Sequence, residues 1–144
     1  MTAARHPAKV VKRVTDLSVA LPDAVATQSH WGDPSFQVNG KTFATVERYR
    51  DRLCLVVKVP KNDLDAVLAD ERFFLAPYVG RYGWVCFVIE GTVDWGEVDE
   101  LLRESYRLIA PARLRARLDD GDATEATRAR SGTRAARPKR KAAR

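Results

Sequence analysis

The amino-acid sequence predicts a single α+β domain, an antiparallel sheet with helices packed on one face, and three observations carry that prediction. Two apolar stripes at helical spacing bracket the body: Val10, Val14, Leu17 and Leu21 near its start, and Trp95, Val98, Leu102, Tyr106 and Ile109 near its close. Between them, Asn39-Gly40 joins two short strand-forming runs, the strongest short-range hairpin signal a sequence offers. The chain has 144 residues, 45% of them hydrophobic and 31% charged, which suits one soluble globular domain.

Pro7 is placed to start the first helix, which Leu21-Pro22 closes. Residues 23–34 mix small, polar and turn-forming types and read as a loop or a short irregular strand. A two-residue turn at Asn39-Gly40 then pairs Val38 with Lys41 and sets Phe36 opposite Phe43. Arg50-Asp51 turns the chain into a third strand, in which Leu53, Leu55, Val57 and Val59 share the core face until Pro60 ends it. Asn62 is placed to cap a short helix over Leu64, Val67 and Leu68. Phe73-Phe74-Leu75 forms a short strand, and Pro77, Gly80 and Gly83 mark bends. Trp84 to Glu90 is a strand rich in aromatic and β-branched residues. Gly91 and Asp94 open the last main helix, and Pro111 restarts a basic helical end. The resulting order is α-β(3)-α-β(2)-α.

Several function classes find no support. Cys54 and Cys86 form no disulfide framework and no Cys-x-x-Cys pattern, so a reducing, cytoplasmic setting is expected. The longest apolar run, Trp84 to Ile89, has six residues against the roughly 20 of a membrane span. His6 and His30 are the only histidines, and neither lies near another ligand at metal spacing. There is no Gly-x-Ser-x-Gly, no phosphate-loop pattern and no dinucleotide fingerprint. Gly80-Arg81-Tyr82-Gly83 precedes a strand instead of opening a helix, so it lacks the helix N-terminus that holds a phosphate. The expectation is a protein that is not an enzyme and needs no cofactor or metal.

The net charge of +6 is unevenly spread. Residues 1–13 carry four basic side chains and no acid, residues 14–118 thirteen basic and fifteen acidic, and residues 119–144 eight basic and four acidic. Beyond Leu118 there is no Leu, Ile, Val, Phe, Tyr or Trp, so nothing offsets the entropy of ordering. Residues 1–7 are therefore expected to be a disordered basic terminus, 8–118 the folded body, and 119–144 a disordered tail, acidic and then strongly basic. Arg137, Lys139, Arg140 and Lys141 are its densest segment, either a solvated tail or a phosphate-binding arm. In the body, Lys41, Arg48, Arg50, Arg52 and Lys58 cluster around the hairpin, diluted by Glu47 and Asp51. Arg48, Arg52 and Lys58 are read as sharing the outer sheet surface. Arg81 projects from a glycine-flanked turn, and Arg113, Arg115 and Arg117 lead into the tail.

Taken together, His30-Trp31-Gly32-Asp33-Pro34-Ser35-Phe36, Val38-Asn39-Gly40-Lys41, Phe43-Ala44 and Val57-Lys58-Val59 resemble the MmcQ/YjbR family. So do Phe73-Phe74, Tyr78-Val79-Gly80, Gly83-Trp84-Val85 and Ser105-Tyr106-Arg107-Leu108, and the likeness spans residues 8–118. The resemblance implies an α+β body similar in topology to type III secretion chaperones, and DNA binding through a double-wing arrangement. It supplies no catalytic residues. At the motif positions, Gly32, Gly40, Gly80 and Gly83 look like turn residues, and Trp31, Trp84 and Tyr106 like packing anchors. The expected function is non-specific DNA binding through phosphate contacts. The alternatives are a dimeric or partner-binding protein module and a small-ligand pocket beside Tyr78–Trp84 with Arg81 on an anion.

Overall fold

A computed structural model describes residues 7–131 of the chain. Helix α1 (Ala8–Val19) leads into strands β1 (Val25–Gln28), β2 (Pro34–Val38), β3 (Lys41–Tyr49) and β4 (Arg52–Lys58). A 3-10 turn at Lys61–Asp63 and the short helix α2 (Leu64–Leu68) connect to β5 (Phe73–Leu75). A second 3-10 turn at Gly80–Tyr82 precedes β6 (Trp84–Val88), and the chain continues through α3 (Trp95–Ile109) and α4 (Ala112–Ser131). The strands form one six-stranded sheet in the order β1-β2-β3-β4-β6-β5, every neighbouring pair antiparallel. Among the described residues, no helix is long and apolar enough to cross a membrane.

Four strands precede α2, not three. Val25-Ala26-Thr27-Gln28 is exposed throughout and carries no alternation of apolar and polar residues, so its sequence gives no strand signal. It is held as an edge strand by its backbone, in register from Val25 opposite Gln37 to Gln28 opposite Pro34. The Lys61–Asp63 turn likewise forms without a side-chain cap, so Asn62 does not cap α2. By contrast, Asp94 does cap α3, accepting from the Glu97 amide at 3.1 Å.

The hairpin turn is where the sequence puts it, with Val38 opposite Lys41, but Phe36 faces Ala44 and not Phe43. A β-bulge next to Gln37 inserts one extra residue into β3. The reason lies in side-chain period. The regular register would turn Thr45 and Glu47 into the core and Val46 out of it. With the bulge, Phe43, Ala44 and Val46 are all buried on the helix side, while Thr45 and Glu47 face outward.

All four helices contribute to the main core, through Val14, Val67, Val98, Leu101, Leu102, Tyr106, Leu114 and Leu118, packed against Phe36, Phe43, Leu53, Leu55, Val57 and Phe87. Tyr106 is fully buried, its ring edge-on to Phe43 at 5.5 Å and its hydroxyl donating to the Pro22 carbonyl at 2.7 Å. The other sheet face carries a second, smaller cluster: Cys54, Val56, Ala76 and Cys86, with Tyr49, Phe74, Trp84 and Val88 packed around it. No helical residue belongs to that cluster, so helices back one side of the sheet only.

Helix α4 runs on past Leu118, the point from which composition predicts disorder. Leu118 is the last side chain of the core, and beyond it Asp119 pairs with Arg107 of α3 at 3.0 Å. The Ala, Glu and Arg of the stretch favour helix locally, while Asp and Gly121 do not, and the exposed Arg107–Asp119 pair adds little. Residues 1–6 of the expected disordered terminus and residues 132–144 of the expected tail lie outside the described residues.

Candidate nucleic-acid interface

Antiparallel pairing sorts the candidate basic residues into three places. At one end of the sheet, β3 starts with Lys41, β4 ends with Lys58, and Lys58 lies directly opposite Trp84 of β6. Leu53, Leu55 and Val57 point into the core, so Lys58 belongs to the open face. The loop that precedes β6 brings Arg81 to the same end, its guanidinium 4.8 Å from the Tyr82 ring centre. Lys61 joins them from the 3-10 turn; strand alternation gives no hint of it, because it lies past Pro60, where β4 has already ended. Lys41, Lys61 and Arg81 are exposed and Lys58 half-exposed, and none of the four forms an ion pair with another described residue.

The opposite end is electrostatically balanced. Arg48 lies opposite Leu53 and so points toward the helix side, not to the outer surface it was expected to share with Arg52 and Lys58. The cause is the bulge, which turns every second residue of β3 from Ala44 to Arg48 inward, and Arg48 simply lies beyond the edge of the core. Arg48 and Arg52 both reach Glu90, at 3.5 and 3.7 Å, and Glu90 also accepts from the Leu53 amide at 2.8 Å. Arg50 occupies a left-handed turn position and stacks on Phe74, 4.2 Å from the ring centre. The third place is α4. Arg113 and Arg117 approach Asp23 at 3.9 and 3.4 Å, and Arg115 donates to the Ala110 carbonyl at 3.0 Å. Arg137, Lys139, Arg140 and Lys141 lie outside the described residues.

The loop 77–83 is built from backbone bonds. The Ala76 amide donates to Trp84, Gly80 to Ala76, and Gly83 to Gly80, at 3.1, 3.0 and 2.9 Å. The Gly83 carbonyl then accepts from Val59 at 2.9 Å, tying the loop to the end of β4. Held this way, Tyr78 is 96% exposed at a positive φ of 69°, and Tyr82 is 47% exposed. Tyr78 is thus a bulky residue in left-handed backbone that buries almost nothing in return. In the sequence, Pro77-Tyr78 and Gly80 signal only that the chain bends here.

Trp31, expected to be a packing anchor, is 79% exposed. It caps a tight turn in which the Ser29 hydroxyl accepts from the Trp31 and Asp33 amides, at 3.3 and 3.1 Å, and Gly32 takes a positive φ of 84°. Trp84 and Tyr106 do pack, the first half-buried on the open face, the second in the core. Two open cavities of about 390 and 370 Å³ lie at the balanced end, sharing Glu90 and Val93.

Cys54 and Cys86 are free and fully buried beneath the open face, where their hydrogen bond, with burial, holds the Cys86 thiol well above its ordinary range. Buried thiols of this kind are inert packing groups. Neither should react with an aromatic disulfide reagent such as DTNB within minutes in the native protein, and both should react once it is denatured.

These features define a class: a small α+β protein with a helix-backed sheet, one open sheet face and a basic, aromatic end. The YjbR family model matches residues 19–108, and the chain belongs to that family. Among solved structures it is similar to protein DR2400 of Deinococcus radiodurans, which carries a DUF419 domain. The TM-score is 0.59 and the identity 23%, covering 68% of this chain and 76% of that one, a likeness of fold. No curated protein matches the chain.

Proposed function

We propose that this YjbR protein binds nucleic acid without strong sequence preference, through phosphate contacts from Lys41, Lys58, Lys61 and Arg81. The observation that carries the reading is the collection of four cations without ion-pair partners among the described residues at one end of the sheet, while Arg48, Arg52, Arg113 and Arg117 have acids in reach. Unpaired cations on turns and strand ends suit phosphates, which fix position without reading bases. The basic residues of 132–144 add a generic attraction.

The test is fluorescence anisotropy of the full chain with a labelled duplex of about 20–30 base pairs, two or three helical turns, titrated across salt. Affinity should fall linearly in log–log form, with a slope of roughly −0.9 per neutralised phosphate. Lys58→Gln and Arg81→Gln should each reduce that slope by roughly one contact, and Arg113→Gln should leave it unchanged. A slope that responds only to replacement of Arg137, Lys139, Arg140 and Lys141 assigns the binding to the tail. No binding at low salt sinks the reading in favour of a partner protein, for which the solvent-facing Trp31 is the anchor.

A further inference from the structure

The basic end carries more than charge. Tyr78 and Tyr82 are exposed rings on the loop beside Arg81, and Trp84 lies half-buried on the open face directly opposite Lys58. Aromatic faces contribute little to a duplex, whose bases are already stacked and show only their edges in the grooves. Unpaired bases, by contrast, gain a stacking partner from each ring, and every base has such a face. The setting matches that chemistry. The face is a sheet surface with no helix over it, and the cations beside the rings have no acidic partner among the described residues. Arg81 stacked on Tyr82 restrains both side chains, which lowers the entropy lost when a base and its phosphate arrive.

Resting on the nucleic-acid reading above, we infer that this end of the open face takes single-stranded nucleic acid. Bases stack on Tyr78, Tyr82 and Trp84 while Lys58 and Arg81 hold the phosphates between them. Three rings at this end suit two or three stacked bases, as the sheet-face aromatics of other single-strand readers take. Recognition is by ring faces and backbone charge, so it tolerates any base.

The experiment compares labelled single-stranded dT20 with a 20-base-pair duplex on the full chain at the same low salt. Expected is tighter binding of the single strand. Tyr78→Ala and Tyr82→Ala should each weaken it by about 5- to 150-fold, the loss of one stacked base, and leave duplex affinity and the salt slope unchanged. Tyr78→Phe should restore single-strand binding, because stacking uses the ring and not the hydroxyl. Tyr78 is solvated, so unchanged thermal unfolding of its variants confirms an intact fold. Equal or tighter duplex binding, or single-strand affinity indifferent to both tyrosines, overturns the inference and leaves the phosphate-binding reading standing. Absence of binding to either probe overturns both.

Discussion

Gly83→Ala is expected to destabilise the fold by about 2–5 kcal/mol, from two separable causes. The first is conformational: Gly83 has φ 97° and ψ 11°, a left-handed conformation that costs an L-residue about 1–2 kcal/mol. The second is contact. A Cβ built on Gly83 lies 2.6 Å from the Val59 carbonyl oxygen, a backbone atom that cannot swing aside, and such overpacking adds about 1–3 kcal/mol. Gly40 separates the two, since its φ is 76° and nothing lies within 4 Å of its Cβ position. Gly40→Ala should show only the conformational part. Urea unfolding of both variants measures the difference, and near-equal losses would mean that β4 and β6 part easily at their ends. Because Val59 donates to the Gly83 carbonyl at this point, Gly83→Ala should also loosen the loop bearing Tyr78, Arg81 and Tyr82 and weaken single-strand binding.

Side chains advertise some surroundings in sequence and not others. The third predicted strand was legible as a largely apolar run from Leu53 to Val59 bounded by Arg50-Asp51 and Pro60, and Leu53, Leu55, Val57 and Val59 are buried on one face as its period requires. The turn at Asn39-Gly40 was legible because both residues take the positive φ that Asn and Gly favour, 53° and 76°. The bulge was not legible: its cause is a competition across β3 between residues far from the turn, Val46 against Glu47, and turn chemistry speaks only to neighbours. β1 was illegible for a related reason, as an edge strand held by its backbone leaves no trace in apolar periodicity. For the site, residue type picked out Lys41, Lys58 and Arg81. It could not tell them from Arg48, Arg52, Arg113 and Arg117, which have acids in reach, because ion pairing is set by topology. Trp31 shows the same limit from the apolar side: ring size argues burial, and only the turn around Ser29 places it in solvent.

Ser105→Ala is the substitution that tests how the bulge is held. Phe43, the extra residue, lies just past the last β3–β4 pair, Ala44 opposite Val57, and its carbonyl and the Lys58 amide are not paired with each other. Ser105 of α3 fills the gap: its hydroxyl accepts from the Lys58 amide at 2.9 Å and donates to the Phe43 carbonyl at 2.6 Å. Removing the oxygen strands two backbone groups in a site with no solvent access, at about 1–3 kcal/mol each, so a loss of about 2–4 kcal/mol is expected once partial relaxation is allowed. Ser18 is the control, equally buried in α1 but with a hydroxyl that finds no partner among the described residues. Ser18→Ala should be neutral or stabilising, since it removes an uncompensated polar group. Chemical denaturation ranks the two, and amide exchange should show Lys58 opening faster in Ser105→Ala alone. If the two serines cost the same, strands β3 and β4 close the gap without the helix. In that case the position of Lys58 on the open face is set by the sheet and not by α3.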